Sequence, residues 1–355
     1  MIMTAGLRVA VTGATGNIGT SVVSELDADD RVGSVLGIAR RWSDFSTPKL
    51  ELATVDVAED DLDCHFSGVD AVIHLAWLFQ PTHDAVTTWR NNVLGAMNVF
   101  RAVARNHVPA FIYSSSVGAY SPGPDGTPVT ESWPTHGWPG AAYTREKAYL
   151  ERVVDTFERD NPDIRVVKIR PSFVFKKEAA AEQRRLFAGP LLPGKLVRPQ
   201  FVPLVPDISG LRFQAVHASD IADAFRLAAV NPAARGAYNV AAEPPLDADL
   251  IADVLGARSV RLPAGPLRAV LAAAWRLHLV PASPDLFDAV QQLPLMDTTR
   301  ARVELGWAPR FTAVEAIEEF LEGLCHGAGM STPPLEPSSA DGRLREVATG
   351  VGERP

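Results

Sequence analysis

The first half of the chain alternates short β-branched runs with longer amphipathic stretches. Leu7–Thr12, Val32–Ala39, Leu50–Val57, Ala71–Ala76, Ala110–Ser115 and Arg165–Arg170 read as strands. Most are apolar on both parities, which predicts burial on both faces, as in a parallel sheet. Between them, Asn17–Leu26, Asp84–Asn106 and Ala142–Glu158 read as helices; in the last, Tyr149, Leu150, Val153, Val154 and Phe157 recur at helical spacing. Strand–helix alternation of this kind predicts a doubly wound α/β parallel sheet.

After Pro171 the rhythm changes. Residues 176–206 are proline-rich and carry no clear period. Phe213–Val216 and Ala237–Ala241 read as two further strands, with a helix over Asp220–Val230 between them. Helices are then predicted at Leu246–Leu255, Leu267–Leu279, Pro284–Leu293 and Thr312–Leu324. The pattern predicts a first domain over 1–175, to which about 211–242 returns, and a smaller, mostly helical lobe from 176–210 and 243–326. From Gly327 onward Gly, Pro, Ser and charge dominate, so 327–355 is expected to be a disordered tail.

Composition narrows the class. The 355 residues carry 34 Lys+Arg against 42 Asp+Glu, a net charge of −8, and 46% are hydrophobic. A sizeable core is available, and a negative chain disfavours nucleic acid as a partner. The longest strictly apolar run, Ala269–Trp275, falls far short of the roughly 20 residues that cross a bilayer as a helix, so no membrane partner is expected. No secretory leader is predicted, and two cysteines, Cys64 and Cys325, suit a reducing cytoplasm. The eight histidines show no paired spacing, so no metal site is predicted.

The first strand runs into Thr12-Gly13-Ala14-Thr15-Gly16-Asn17-Ile18-Gly19, which opens a helix. Gly13 suits the tight turn, Gly16 lets the backbone approach a pyrophosphate, and Gly19 lets helix and sheet pack closely. The free N–H groups of that helix start would face negative charge. An acid at the end of the second strand would hold the ribose 2′-hydroxyl of NAD; here Ala39 is followed by Arg40 and Arg41. A guanidinium suits the 2′-phosphate, so NADP(H) is favoured over NAD(H), the alternative being a solvated loop pair. Asp56-Val57, after the third strand, stands where an acid could meet the adenine amino group.

Tyr143 and Lys147 lie four apart, on one face of a helix. Bringing a phenol of pKa near 10 into use at neutral pH costs roughly 4 kcal/mol, and a lysine ammonium on the same face, with a nicotinamide cation nearby, has the right sign to supply it. Ser114, Ser115 and Ser116 end the fifth strand, where a hydroxyl faces the ligand crevice of an open α/β sheet; Ser116 is the predicted catalytic hydroxyl. The aromatic segments Trp77-Leu78-Phe79-Gln80 and Trp133–Trp138 could wall a pocket for a substrate with an apolar part.

TGATGNIG, AVIHLAW, NNVLGAMNV, YSSSVGAY, YTREK, IRP, VHASDIADAF, YNVAAE and ELGWAP, in that order from about Arg8 to Leu324, resemble the extended short-chain dehydrogenase/reductase superfamily, which includes NAD-dependent epimerases and dehydratases. The resemblance implies a Rossmann-type domain with a C-terminal substrate lobe. It implies that Tyr143 is the general acid/base, Lys147 its partner and a ligand of the nicotinamide ribose, and Ser116 the hydroxyl that polarises the substrate. It places Leu75 and Ala76 along the cofactor, Asn92 and Gly95 on a helix beside it, and Pro171 over the nicotinamide. His217 and Asp220 match a segment that is more often structural. Many relatives are homodimers through the helices after Asn92 and around Tyr143.

No nucleotide-sugar signature is recognisable. Between Lys176 and Arg198, six basic residues (Lys176, Lys177, Arg184, Arg185, Lys195, Arg198) oppose Glu178 and Glu182, a patch that could attract an anionic substrate, or simply a solvated helix face. The leading expectation is hydride transfer between NADP(H) and a carbonyl/alcohol pair. The same triad also serves epimerisation or dehydration with the hydride returned. A different class of reading is a sensor of the NADP redox state.

Overall fold

A computed structural model describes residues 6–124, 126–190, 202–208 and 211–352. Among the described residues the strands are β1 (Leu7–Thr12), β2 (Val32–Ala39), β3 (Leu50–Thr54), β4 (Ala71–His74), β5 (Ala110–Ser114), β6 (Arg165–Pro171), β7 (Phe173–Phe175), β8 (Leu204–Ile208), β9 (Phe213–His217), β10 (Gly236–Val240), β11 (Ala242–Leu246) and β12 (Arg258–Leu262). Seven form a parallel sheet in the order β10-β6-β5-β4-β1-β2-β3.

Period-2 alternation explains the double-sided core. Val9 and Val11 of β1 join Val22 and Leu26 of the helix Asn17–Asp27, with Ile112, Val167 and Phe225, on one face. Ala10 between them joins Val72, Phe100, Phe111, Leu150 and Phe157 on the other. Helices cover both faces, which is why the strands read as apolar runs. The chain runs outward from β1 through β2 to β3, then returns to β4 on the other side of β1. That reversal opens a crevice beyond the carboxyl ends of β1 and β4, the place where such sheets bind ligands.

Three expectations need correction. Phe213–His217 does not return to the main sheet. It pairs in parallel with β7 and antiparallel with β11, in a separate three-stranded sheet. Only the helix Ala218–Val230, packed against Asn17–Asp27, and β10 return. The sequence pattern hid β11 because Pro244 and Pro245 lie in its irregular middle, where only Ala242 and Leu246 keep register with β9.

The stretch after Gly327 is folded as far as it is described. Leu335 and Thr332 are buried, a helix spans Ala340–Thr349, and Glu346 accepts from Arg184 Nη2 at 2.6 Å and Nη1 at 3.2 Å. Polar composition suggested a solvated tail, but the partner of Glu346, Arg184, lies 162 residues away in sequence, beyond the reach of any local pattern.

The basic patch is not an open one either. Lys176 is buried and donates to Thr20 Oγ1 at 2.7 Å, Lys177 pairs with Glu322, Arg184 with Glu346, and Arg185 with the carbonyls of Pro334 and Glu336. These four cations join parts of the protein to one another. Lys195 and Arg198 lie outside the described residues. No helix among the described residues is long and apolar enough to cross a membrane.

Candidate active site

The crevice beyond β1 and β4 holds a cavity of about 690 Å³, and all but one of the residues singled out for cofactor or catalysis line it: Gly13, Thr15, Gly16, Asn17, Ile18, Gly19, Arg40, Asp56, Val57, Leu75, Ala76, Asn92, Ser116, Tyr143, Lys147 and Pro171. They come from eight separate stretches of chain.

Two of the three glycines are required by the protein's own packing. Gly13 has φ +73°, and a Cβ there would lie 2.8 Å from the Ala76 nitrogen; one on Gly19 would lie 2.1 Å from the Gly13 carbonyl oxygen. Gly16 is different. Its backbone is extended, and its nearest contact for a Cβ, at 3.5 Å, is ordinary. It is also the N-cap of the helix Asn17–Asp27, with no capping side chain and no acid in the first turn. The fold does not need a bare backbone there, but an approaching phosphate does.

Arg40, at the end of β2, is half-buried, and its Nε has no protein partner. Burial lowers its pKa, Asp56 opposes that, and Arg41 adds to it. Asp56 also closes its own loop, accepting from the Ala58 N–H at 3.0 Å. Asn92 lines the cavity but spends its amide elsewhere. It accepts from Leu78 N at 2.7 Å and donates to Leu78 O and to the buried Glu146. Its role in this structure is to fix the loop carrying Trp77 and Phe79. Gly95 does not reach the cavity and packs toward Ala58.

Thr12 Oγ1, at the end of β1, lies 2.7 Å from Nδ1 of His74, at the end of β4, and accepts from Leu75 N and Ala76 N, so the hydroxyl donates to the ring. This ties the two strand ends that flank the crevice. Burial, aided by Lys147, pushes His74 down to about 3 from its ordinary 6.5. A histidine with a depressed native pKa favours the fold at high pH and loses that contribution as pH falls through 6.5 toward 3. Between pH 6.5 and 4.5 the loss amounts to roughly 2–3 kcal/mol. Glu182, raised by burial to about 7, shifts stability the opposite way over that interval. The check is therefore a comparison of denaturation curves for the parent and His74→Asn at both pH values. The gap between them should shrink by that amount on acidification.

Tyr143 and Lys147 project from one face of the helix Ala142–Asp160. The Tyr143 ring stacks on Phe79 with centroids 5.1 Å apart and meets Trp77 edge-on at 5.6 Å. Ser116 Oγ accepts from Gly118 N at 3.0 Å, which leaves its own proton for the hydrogen bond to Tyr143. Lys147 Nζ donates to Ser114 O at 2.8 Å and sits 3.7 Å from the Trp77 ring centroid.

The electrostatics correct one expectation. Burial raises the Tyr143 phenol to about 12 against the opposing hydrogen bond from Ser116, and lowers Lys147 to about 7 against Glu146 and Glu151. Loss of solvent outweighs the pairing that the spacing suggests, so the phenol holds its proton and is poised as an acid.

Behind Ser116, Tyr143 and Lys147 lies a buried network that the sequence reading did not find. Arg170 Nε and Nη2 donate to the two oxygens of Glu151 at 2.9 Å each, and Ser115 Oγ donates to the same carboxylate. Arg170 Nη1 donates to Tyr120 Oη at 2.8 Å, which donates to Asn239 Oδ1 at 2.6 Å. The available signal was Glu151 four residues past Lys147. Of the aromatic segments, Trp77, Leu78 and Phe79 wall the cavity, whereas Trp133 and Trp138 do not. Trp133 packs with Val117, Tyr120 and Met296 instead. His217 caps the helix Ala218–Val230, and Asp220 holds Arg310 and the Phe311 N–H.

The model of the NAD dependent epimerase/dehydratase family matches residues 9–241. The chain belongs to that family. Among its relatives is an uncharacterised protein of Mycobacterium tuberculosis, 28% identical over 295 residues, covering 81% of this chain and 73% of the relative. A UDP-glucose 4-epimerase of Pisum sativum is 29% identical over 188 residues, 46% of this chain and 51% of that one. The fold of this epimerase/dehydratase family member is shared with two solved structures. One is the Thermus thermophilus UDP-glucose 4-epimerase in complex with NAD (TM-score 0.65, 20% identity, 90% of this chain and 99% of that one). The other is DesIV, a dTDP-glucose 4,6-dehydratase of Streptomyces venezuelae with NAD and TYD bound (TM-score 0.65, 18% identity, 89% and 96%).

Proposed function

We propose that the chain is an NADP(H)-dependent oxidoreductase acting on a carbonyl/alcohol pair through Ser116, Tyr143 and Lys147. The observation that carries the reading is the convergence of these three side chains in the cavity that also contains the glycine turn. The uncapped helix at Gly16 and the unpartnered Arg40 Nε fit a dinucleotide: Gly13–Gly19 would hold its pyrophosphate, Arg40 and Arg41 a 2′-phosphate, and Lys147 the nicotinamide ribose. When bound, the reduced cofactor supplies the hydride that turns a carbonyl into an alcohol.

Tyr143, protonated up to about pH 12, donates the proton that the carbonyl oxygen needs, and Ser116 orients that oxygen. Lys147 offers positive charge to the phenolate left behind. Val86, Leu94 and Tyr149, exposed on the helices flanking Asn92 and following Tyr143, support a homodimer through those elements.

The family's named relatives favour a second outcome, in which hydride is returned and the substrate is epimerised or dehydrated. Following reduced-nicotinamide absorbance during turnover separates the two. Net oxidoreduction changes it in proportion to product, whereas returned hydride leaves it constant.

For the cofactor, Arg40→Ala should weaken NADPH binding by roughly tenfold or more, the worth of a charge-assisted hydrogen bond, and leave NADH binding nearly unchanged. Fluorescence titration with both dinucleotides checks this. Equal losses would remove the preference.

A further inference from the structure

We infer that the substrate arm of this cavity takes a neutral, apolar carbonyl compound rather than a nucleoside-diphosphate sugar. The inference rests on the hydride-transfer reading above.

The cavity extends both ways from Tyr143. Toward β2 it is polar, with Arg40, Arg41 and Asp56. Beyond Tyr143 it is walled by Phe79, Phe187, Leu286, Val290 and Leu293. Phe79 lies at 17° to the Tyr143 ring and meets Phe187 edge-on at 5.8 Å, so the aromatic wall begins directly beside the phenol. Phe79 and Phe187 remain 36% and 39% exposed. Two adjacent phenyl rings left open at a cavity wall are matched by a ligand that covers them with apolar surface.

A nucleotide sugar makes the opposite demand. Its diphosphate carries two negative charges that must meet cations or N–H donors once out of water. Among the described residues that line the cavity, the cations are Arg40, Arg41, Lys147 and Arg184. Arg40 and Arg41 stand at the polar end. Lys147 donates to Ser114 O, lies over the Trp77 face and is assigned above to the nicotinamide ribose; Arg184 donates to Gly189 O at 2.7 Å and to both oxygens of Glu346, which neutralises it, and only its Nε–H lacks a protein partner. The described part of the aromatic arm thus offers a diphosphate one N–H of an arginine already neutralised by Glu346 and no spare positive charge, and offers a hydrophobic ketone a slot that leads to a protonated phenol.

The test uses the full chain with NADP+ bound and saturation-transfer NMR of two probes, 2-acetylnaphthalene and 2-decanone, against UDP-glucose. At least one ketone should bind, and UDP-glucose should neither bind comparably nor displace it. Phe187→Ala should weaken the binding of that ketone about tenfold, the effect of losing one aromatic contact, with NADPH affinity unchanged. Phe187→Arg should weaken it further. Preferential binding of UDP-glucose, silence from both ketones, or a ketone affinity indifferent to Phe187 would each overturn the inference. Supplying NADPH then separates the two readings. A ketone that binds but is not reduced leaves the substrate class standing and defeats hydride transfer. A UDP-sugar that turns over leaves hydride transfer standing and defeats the substrate class.

Discussion

Replacing Tyr143 with phenylalanine should lower turnover by roughly a thousandfold, within the range expected for removal of a positioned acid, while cofactor affinity stays near the parent value. The variant keeps the ring that packs on Phe79 and Trp77, so the fold and the wall persist. What disappears is the proton held by a phenol that burial keeps neutral up to about pH 12. Neither neighbour replaces it: Ser116 is oriented by Gly118 N, and Lys147 by Ser114 O.

The parent should also show a characteristic pH profile. Carbonyl reduction should decline as pH rises through about 7, where Lys147 loses its charge, with no further decline from the phenol until far higher pH. Steady-state rates across pH, paired with fluorescence titration of the cofactor, check both statements. Turnover that survives in Tyr143→Phe would show that the proton comes from elsewhere.

The second large effect concerns stability. Glu151 is 1% exposed and neutralises Arg170, itself 4% exposed, through both carboxylate oxygens. Glu151→Leu leaves that guanidinium buried without its counter-charge, frees Ser115 next to Ser116, and removes a partner of Lys168 at 3.4 Å. The expected loss is about 3–5 kcal/mol in chemical denaturation. Pairing the change with Arg170→Met should recover much of it, because the cost lies in the stranded charge and not in the missing contact. A single variant as stable as the parent would mean that water reaches Arg170.

Much of this arrangement was legible because it follows from local rules. Apolar runs on both parities marked the buried parallel strands. The glycine turn was readable because Gly19 answers to the Gly13 carbonyl within the motif itself and Gly13 to a positive φ, although the backbone that crowds Gly13 is that of the distant Ala76. Tyr143 and Lys147 announced themselves by helical spacing. What escaped depends on distant partners or on solvent. The strand β11 looked broken by its prolines, and only its pairing with β9 defines it. Asn92 matched a cofactor helix, yet its amide is spent on the Leu78 backbone and Glu146, partners that spacing does not reveal. The balance between Tyr143 and Lys147 turned on desolvation, which depends on Trp77 and Phe79 arriving from the loop after β4.

The folded stretch after Gly327 has a consequence for biosynthesis. Pro334 contributes to the same cavity as Gly13, and Glu346 holds Arg184 in its wall. A nascent chain can lay down the sheet and the glycine turn early, in the usual order from the amino end. It finishes the enclosure only after residue 346 has emerged from the ribosome. Until then the cell holds a protein with its dinucleotide turn built and its chamber still open at one side.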